Sequence, residues 1–158
     1  MRYFEDFEMG EKIVTKGRTI TEADIVLFAA FSGDWHQLHT NVEFAKDGPF
    51  GERIAHGFLV LSVASGLMGL EGMAIVAFYG MDTVRFVGPT RIGDTIHLEM
   101  DVVEKKDKNE KSGVVSLKIT IKNQKEKVMA VYIMKMLIHL RVRSVKTRCP
   151  ISINISGA

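Results

Sequence analysis

The chain has 158 residues, of which 46% are hydrophobic and 25% charged, and its formal net charge is +2. This length favours one domain with a real core, and the near-balanced charge argues against a nucleic-acid-binding protein. The single cysteine, Cys149, cannot form an intrachain disulfide, which favours a reducing, cytoplasmic setting. The acidic N-terminal segment has no apolar stretch, so a signal peptide is not expected.

Two helices are predicted early in the chain. Thr21 can cap the first helix, and Gly33 is a natural terminator for it. Thr40 and Glu43 form a capping-box pattern, which predicts a second, short helix ending at Lys46.

A third helix is predicted over residues 58–70, which are apolar on nearly all sides, so we expect this helix to be buried. Residues 58–81 are long enough to span a bilayer. Gly66, Gly69 and Gly72 interrupt them, however, and their second half has the pattern of a strand. We therefore expect no membrane span.

From residue 74 onward the hydrophobic period changes to two. Strands are predicted at residues 12–18, 74–86, 95–103, 114–122 and 128–140. Alternation in the third and fourth of these is typical of an antiparallel sheet covered on one side. The last strand is apolar on both faces, which favours a central place or a subunit interface.

Helices followed by a run of strands indicate an α+β fold, with the sheet wrapped around the apolar helix. Residues 1–140 are expected to form the single domain. The charged run at residues 104–111 is interpreted as a solvated hairpin tip. The C-terminal tail, residues 141–158, is expected to be frayed or packed on a partner.

The stretch FSGDWHQLHTN, residues 31–41, concentrates chemistry in one loop. Asp34, His36 and His39 could be metal ligands, but no cysteine cluster or His-Glu-x-x-His helix supports a metal site. A Gly-x-Ser-x-Gly elbow and a phosphate-binding glycine loop are also missing from the sequence.

An acid/base pair is the alternative. Asp34 and His39 have ordinary pKa values of about 3.9 and 6.5, so one stays ionised while the other exchanges a proton near neutrality. Partial burial beside Trp35 and Phe31 would raise the pKa of Asp34. The other interpretation is structural: Asp34 accepts backbone amides while His39 caps or packs. The spacing alone favours this second interpretation.

Longer segments resemble a known family. Three segments are similar to the MaoC-like dehydratases, the family of (R)-specific enoyl-CoA hydratases. They are GRTITEADIVLFAAFSGDWHQLHTNVEFA, the Ala55-His56-Gly57 entry to the apolar helix, and VRFVGPTRIGDTIHLEMDV. The resemblance extends over most of the chain.

The resemblance implies a hot-dog fold, in which an antiparallel sheet curls around one long central helix, and a homodimer or higher homo-oligomer. It also implies reversible syn addition of water to a trans-2-enoyl-CoA, a reaction of fatty acid metabolism that needs no cofactor beyond the thioester substrate. By position, Asp34 and His39 are the catalytic pair. Gly57 supplies a backbone amide to the thioester oxygen, and Ser65 matches a family serine near the pair. Alternatively, the Ser65 hydroxyl bonds only to its own helix.

This chain departs from the strict family motif Asp-x-Asn-Pro-x-His, because His36 and Gln37 stand in place of Asn and Pro. Trp35 either narrows the pocket or packs in an interface. His56 is expected to be a satisfied structural residue rather than a third catalytic base.

The coenzyme A phosphates have three candidate partners, Arg53, Arg85 and Arg91. Two other functions stay open. One is a hot-dog acyl-CoA thioesterase, which would commonly need a carboxylate on the central helix, where the nearest is Glu71 at its far end. The other is a non-catalytic acyl-thioester-binding domain.

Overall fold

A computed structural model describes residues 1–141. The tail prediction therefore falls almost entirely outside the described residues. Within these residues the four α-helices are α1 (Glu22–Ser32), α2 (Gln37–Thr40), α3 (Val42–Lys46) and α4 (Gly57–Leu67). The six strands are β1 (Lys12–Val14), β2 (Arg18–Thr19), β3 (Ile75–Phe86), β4 (Thr95–Asn109), β5 (Ser112–Lys122) and β6 (Val128–His139).

Helix α1 begins and ends where its sequence signals predict. The Thr21 hydroxyl accepts the amide of Asp24, whose carboxylate in turn accepts the Thr21 amide, which completes a capping box. Gly33 ends the helix in the left-handed conformation, at φ +77°, which glycine adopts without a steric penalty.

The predicted cap of the next helix was wrong by one residue. Asn41, and not Thr40, caps α3, because its side chain accepts the amide of Phe44 at 3.1 Å. The Thr40 hydroxyl instead donates to the carbonyls of Trp35 and His36, at 3.1 and 3.2 Å. These bonds close α2, a short helix inside the expected loop that sequence reasoning missed.

The strands form one antiparallel sheet in the order β1-β4-β5-β6-β3, with β2 paired to β4. The predicted alternation is confirmed in β4 and in the second half of β5, where one face is buried. The inward side chains are Ile96, Leu98, Met100, Val102, Val115, Leu117, Ile119 and Ile121. Residues 112–117 of β5 are buried on both faces. Strand β6 lies between β5 and β3, so its two apolar faces reflect a central place in the sheet.

The sheet curves around α4, which gives the hot-dog fold that the resemblance implied. Leu59, Val60 and Ala64 of α4 belong to the buried core. The helix is buried on one face only, because Phe58 is 75% exposed. No helix within residues 1–141 is long and apolar enough to cross a membrane.

The predicted hairpin tip at residues 104–111 was too wide. Strand β4 continues to Asn109, and β5 resumes at Ser112. The Asn109 side chain accepts the amides of Lys111 and Ser112, at 2.9 and 3.0 Å, and this closes the turn within two residues. Residues 104–109 are largely exposed on both faces of a paired strand, which is why their polarity resembled a loop.

Candidate active site

The loop between α1 and α3 is held by its own polar groups. The Asp34 amide donates to the Ser32 hydroxyl at 3.2 Å, and that hydroxyl donates to the carbonyl of Phe28 at 2.7 Å. One carboxylate oxygen of Asp34 accepts the amide of His36, also at 3.2 Å. Asp34 therefore takes part in the local turn, as the structural interpretation expected, while its second carboxylate oxygen makes no hydrogen bond within residues 1–141.

Ile54 sets the tautomer of His39. The Nδ1 atom of His39 lies 2.7 Å from the backbone oxygen of Ile54. Because a carbonyl oxygen only accepts, Nδ1 carries the proton, and Nε2 of the neutral ring bears a lone pair. The bond also ties α2 to the segment that leads into α4, so His39 has a fixed position relative to that helix.

The His39 ring is kept neutral by its surroundings. Burial lowers the pKa of His39 below its ordinary 6.5, against the opposing hydrogen bond to Ile54, and the nearby His56 imidazole lowers it further. Asp34 acts in the opposite direction. At neutral pH His39 is therefore an acceptor.

His56 completes the cluster in place of His36. Side-chain ligand atoms of Asp34, His39 and His56 lie within 4.8 Å of one another. The His56 ring lies 3.9 Å from the His39 ring, centroid to centroid, and its Nε2 lies 3.0 Å from the Asp34 carbonyl oxygen. His36, by contrast, is exposed, and its Nδ1 accepts the amide of Leu38.

These three residues form one of two groups within residues 1–141 that could hold a metal ion. Each imidazole donates one N–H to a carbonyl, which leaves its other nitrogen as a possible ligand. A second group, His97, Glu99 and Glu126, is occupied by the Lys122 ammonium, which bonds to both glutamates.

The α4 N-terminus lies beside the cluster. His56 is its cap residue in the backbone sense, but no side chain within residues 1–141 caps its first-turn amides. The helix dipole adds a partial positive charge at this end. Gly57 therefore presents a backbone amide one residue from the ring that contacts both Asp34 and His39.

The chain matches the family of the MaoC like domain over residues 6–124, about three quarters of its length. It belongs to the MaoC-like dehydratase family. It is 40% identical over 112 residues to Protein MaoC of Klebsiella aerogenes, covering 70% of this chain and 33% of that protein. It is 38% identical over 96 residues to the (R)-specific enoyl-CoA hydratase of Rhodospirillum rubrum, covering 61% of this chain and 66% of the hydratase.

A solved structure, the monoamine oxidase regulatory protein from Archaeoglobus fulgius, superimposes with a TM-score of 0.83 and 44% identity. The match covers 88% of this chain and 95% of that protein. The segment shared with the first two relatives is thus a third to two thirds of their lengths.

Within this MaoC-like domain, the departure at His36 has a local explanation. The strict motif has Asn at this place. His36 caps α2 by accepting the Leu38 amide at 3.2 Å, a short-range bond from side chain to backbone that Asn also makes. The imidazole thus preserves the capping role, and the ring lies edge-on to His39 and Phe44.

Other expectations meet a mixed outcome. Asp34, Trp35 and Phe31 are all exposed, Phe31 by 89%, so the expected partial burial of Asp34 is not provided within one chain. The Ser65 hydroxyl donates to the carbonyl of Ser62 at 2.7 Å, which is the helix-bonded alternative considered for it. The role of Ser65 toward substrate stays a prediction.

Glu71, the carboxylate nearest to the central helix in sequence, is exposed in a 3-10 turn beyond α4.

The three arginines considered for the coenzyme A phosphates differ in whether they are already paired with a carboxylate. Arg53 donates two bonds of 2.7 Å to Glu22, and Arg91 donates to Glu52 at 2.5 Å. Arg85 is exposed and forms no ion pair within residues 1–141. It is therefore the candidate whose guanidinium is free to meet an anion.

Proposed function

We propose that this MaoC-like protein is a hydratase that adds water reversibly, in the syn sense, to a trans-2-enoyl-CoA to give an (R)-3-hydroxyacyl-CoA. The observation that carries the proposal is the proximity of the Asp34 carboxylate to the His39 ring, whose Nδ1 is bonded to Ile54, beside the N-terminus of α4. The name of the Rhodospirillum rubrum relative supports the same reaction class.

The spacing of the pair suits a bridging water. Two hydrogen bonds of about 2.8 Å at the angle of a water molecule span about 4.5 Å. A carboxylate oxygen of Asp34 and a ring nitrogen of His39 lie within 4.8 Å of each other. A water that donates to both is held with its oxygen lone pair free to attack, and the ionised carboxylate is the main base.

In the proposed reaction the water oxygen bonds to C3 of the enoyl group as the pair takes one of its protons. The C2–C3 π electrons move toward the thioester, and negative charge develops on its oxygen. The Gly57 amide at the α4 N-terminus stabilises this enolate-like charge. One member of the pair then returns a proton to C2, so that one water has been added and the enzyme is restored.

We propose a homodimer formed by pairing of β3 with its copy. Strand β3 is an edge strand that bonds only to β6 within residues 1–141. Apolar side chains are exposed along it, and they are Val76, Phe78, Tyr79, Val84 and Phe86. A free, apolar edge of 12 residues invites a further strand, and an antiparallel copy related by two-fold symmetry satisfies both edges at once.

The proposal needs no metal or organic cofactor beyond the acyl thioester, and no nucleic acid or membrane partner. The lone Cys149 supports a cytoplasmic setting.

A thioesterase is less well supported, because α4 contains no carboxylate. A non-catalytic acyl-thioester-binding domain is the second alternative, motivated by His36 and Gln37 in place of the strict motif.

The test is hydration of crotonyl-CoA, followed as loss of the enoyl-thioester absorbance. Asp34→Ala and His39→Ala should each lower turnover by about 10²–10⁴. Wild-type rates in both variants would overturn the roles of the pair. Release of free thiol, measured with a thiol reagent, would instead indicate a thioesterase, and tight binding without turnover across acyl chain lengths would indicate the binding domain.

A further inference from the structure

His56 lies where the two halves of the proposed site meet. It is 2% exposed and directly precedes Gly57, the first residue of α4. Its side chain turns back toward the loop after α1, 22 residues earlier in the chain. One residue therefore joins the segment that carries Asp34 and His39 to the helix that offers the amide.

The contacts of the His56 ring fix its tautomer. Its Nε2 lies 3.0 Å from the carbonyl oxygen of Asp34, which only accepts, so Nε2 carries the proton and donates it. One neighbour of the ring is His39, at 3.9 Å between centroids, and another is Phe28, at 5.0 Å. These two neighbours restrict the plane of the His56 ring.

The second nitrogen is the unusual feature. His56 Nδ1 is buried and has no hydrogen-bond partner within residues 1–141. A buried acceptor without a partner destabilises the folded state, so a residue present only to fill space would be better apolar. The expectation that His56 is a satisfied structural residue therefore holds for Nε2 and fails for Nδ1. The contacts left to the imidazole are those of Nε2 and of its ring face.

We propose that His56 is a positioning residue, which fixes the Asp34 backbone by hydrogen bonding and the His39 ring by stacking, both relative to the Gly57 amide. The contacts of His56 are independent of the proposed hydratase function. Only the reaction that this positioning would serve rests on that function. The Asp34 and His39 pair acts at C3 of the enoyl thioester, and the Gly57 amide acts at its oxygen, so the distance between them must stay fixed. A displacement of about 1 Å can lower a rate about 10²-fold.

Two variants separate the roles of donor and ring. His56→Phe keeps a stacking ring but loses the donor, and His56→Gln keeps a donor but loses the ring. For His56→Phe we expect kcat for crotonyl-CoA hydration to fall about 10- to 10²-fold, with KM within about threefold, because positioning affects the transition state more than substrate binding. His56→Gln should recover part of that loss. Tyr132→Phe, which removes a buried unpartnered atom in the core, is the matched control and should keep wild-type kcat.

A readout independent of turnover is the titration of the His39 ring by NMR. In the wild type its midpoint should lie below 6.5, and in His56→Phe it should move up because a neighbouring imidazole has been removed. Far-UV circular dichroism and thermal melts give the folded fraction of each variant.

Wild-type kcat in both His56 variants would overturn the proposal. So would a loss of kcat that only matches the loss of folded protein, with the His39 titration unmoved. If the wild type hydrates no enoyl-CoA, the proposed function fails, and the NMR titration decides alone. A His39 midpoint that moves in folded His56→Phe and returns in part in His56→Gln, which also lacks the imidazole but keeps a donor, then upholds the positioning role. A midpoint that is unmoved, or moved equally in both variants, overturns it.

Discussion

The ring of Phe86, on β3, lies against the α-carbon of Gly57. A Cβ at position 57 would be 2.7 Å from Cζ of that ring, closer than such contacts occur. The edge strand and the start of α4 are therefore in contact at the residue whose amide is proposed to meet the thioester oxygen. Only glycine allows this approach without a shift of the Phe86 ring.

The first prediction concerns this contact. Gly57→Ala should fold, because the end of the Phe86 side chain is half exposed and can move, but kcat should fall about 10- to 10²-fold as the helix start shifts. Phe86→Ala in the same chain should restore part of the rate. Gly66→Ala, on the same helix with nothing within 4 Å of the added atom, is the control. It should leave kcat unchanged and stabilise the helix by about 0.5–1 kcal/mol.

The second prediction is an acid limb in the pH–rate profile. Since burial lowers the pKa of His39 below 6.5, kcat/KM should rise with pH through a midpoint below 6.5 and then level off. The free energy of unfolding should change with pH in the same direction. The folded state binds fewer protons than the unfolded state between the two pKa values, so stability is lost as pH falls through this window. His39→Asn should abolish the limb, whereas His97→Asn, on the sheet surface, should retain it.

The third prediction concerns coenzyme A. Arg85→Ala should raise KM for an enoyl-CoA about tenfold with little change in kcat, the result of losing one charged hydrogen bond to phosphate. Arg91→Ala is the matched control, because Arg91 is already paired with Glu52. A pantetheine thioester, which lacks the nucleotide phosphates, should not distinguish Arg85→Ala from the wild type. Equal KM values in the two variants would remove Arg85 from the site.

The fourth prediction is a gain in stability. Tyr132 lies in the core on β6, its hydroxyl has no hydrogen-bond partner within residues 1–141, and burial raises its pKa to about 12. Tyr132→Phe removes the unsatisfied group and keeps the ring, so the free energy of unfolding should rise by about 1 kcal/mol. Denaturant titration measures it. A loss of stability would show that the hydroxyl has a partner in solution.

The fifth prediction is that β3 carries the dimer interface. Phe78→Glu should convert the dimer to a monomer in sedimentation experiments, because a charge would be buried at the paired edge. Met9→Glu changes an equally exposed apolar residue in the turn before β1 and should leave the mass unchanged. A monomeric wild type would contradict the interface directly.

Local signals predicted much of the fold. Capping by Thr21, termination at Gly33 and the period-two pattern of β4 and β5 depend on neighbours within a few residues, so one sequence displays them. The cap of α3 shows the limit of this approach. Thr40 and Asn41 are both good cap residues, and the choice followed from the bonds of Thr40 to Trp35 and His36, which required the unforeseen helix α2.

The sequence by itself determined which residue types the site contains: a carboxylate and a histidine five positions apart, and a glycine at the start of an apolar helix. Only the tertiary structure decided that His56 rather than His36 meets them, that Ile54 fixes the tautomer of His39, and that Phe86 packs against Gly57. The physical reason is the separation of the contacting residues along the chain. Caps and periodicity depend on adjacent residues, whereas these contacts join segments 15 to 29 positions apart and exist only once the sheet has packed around α4.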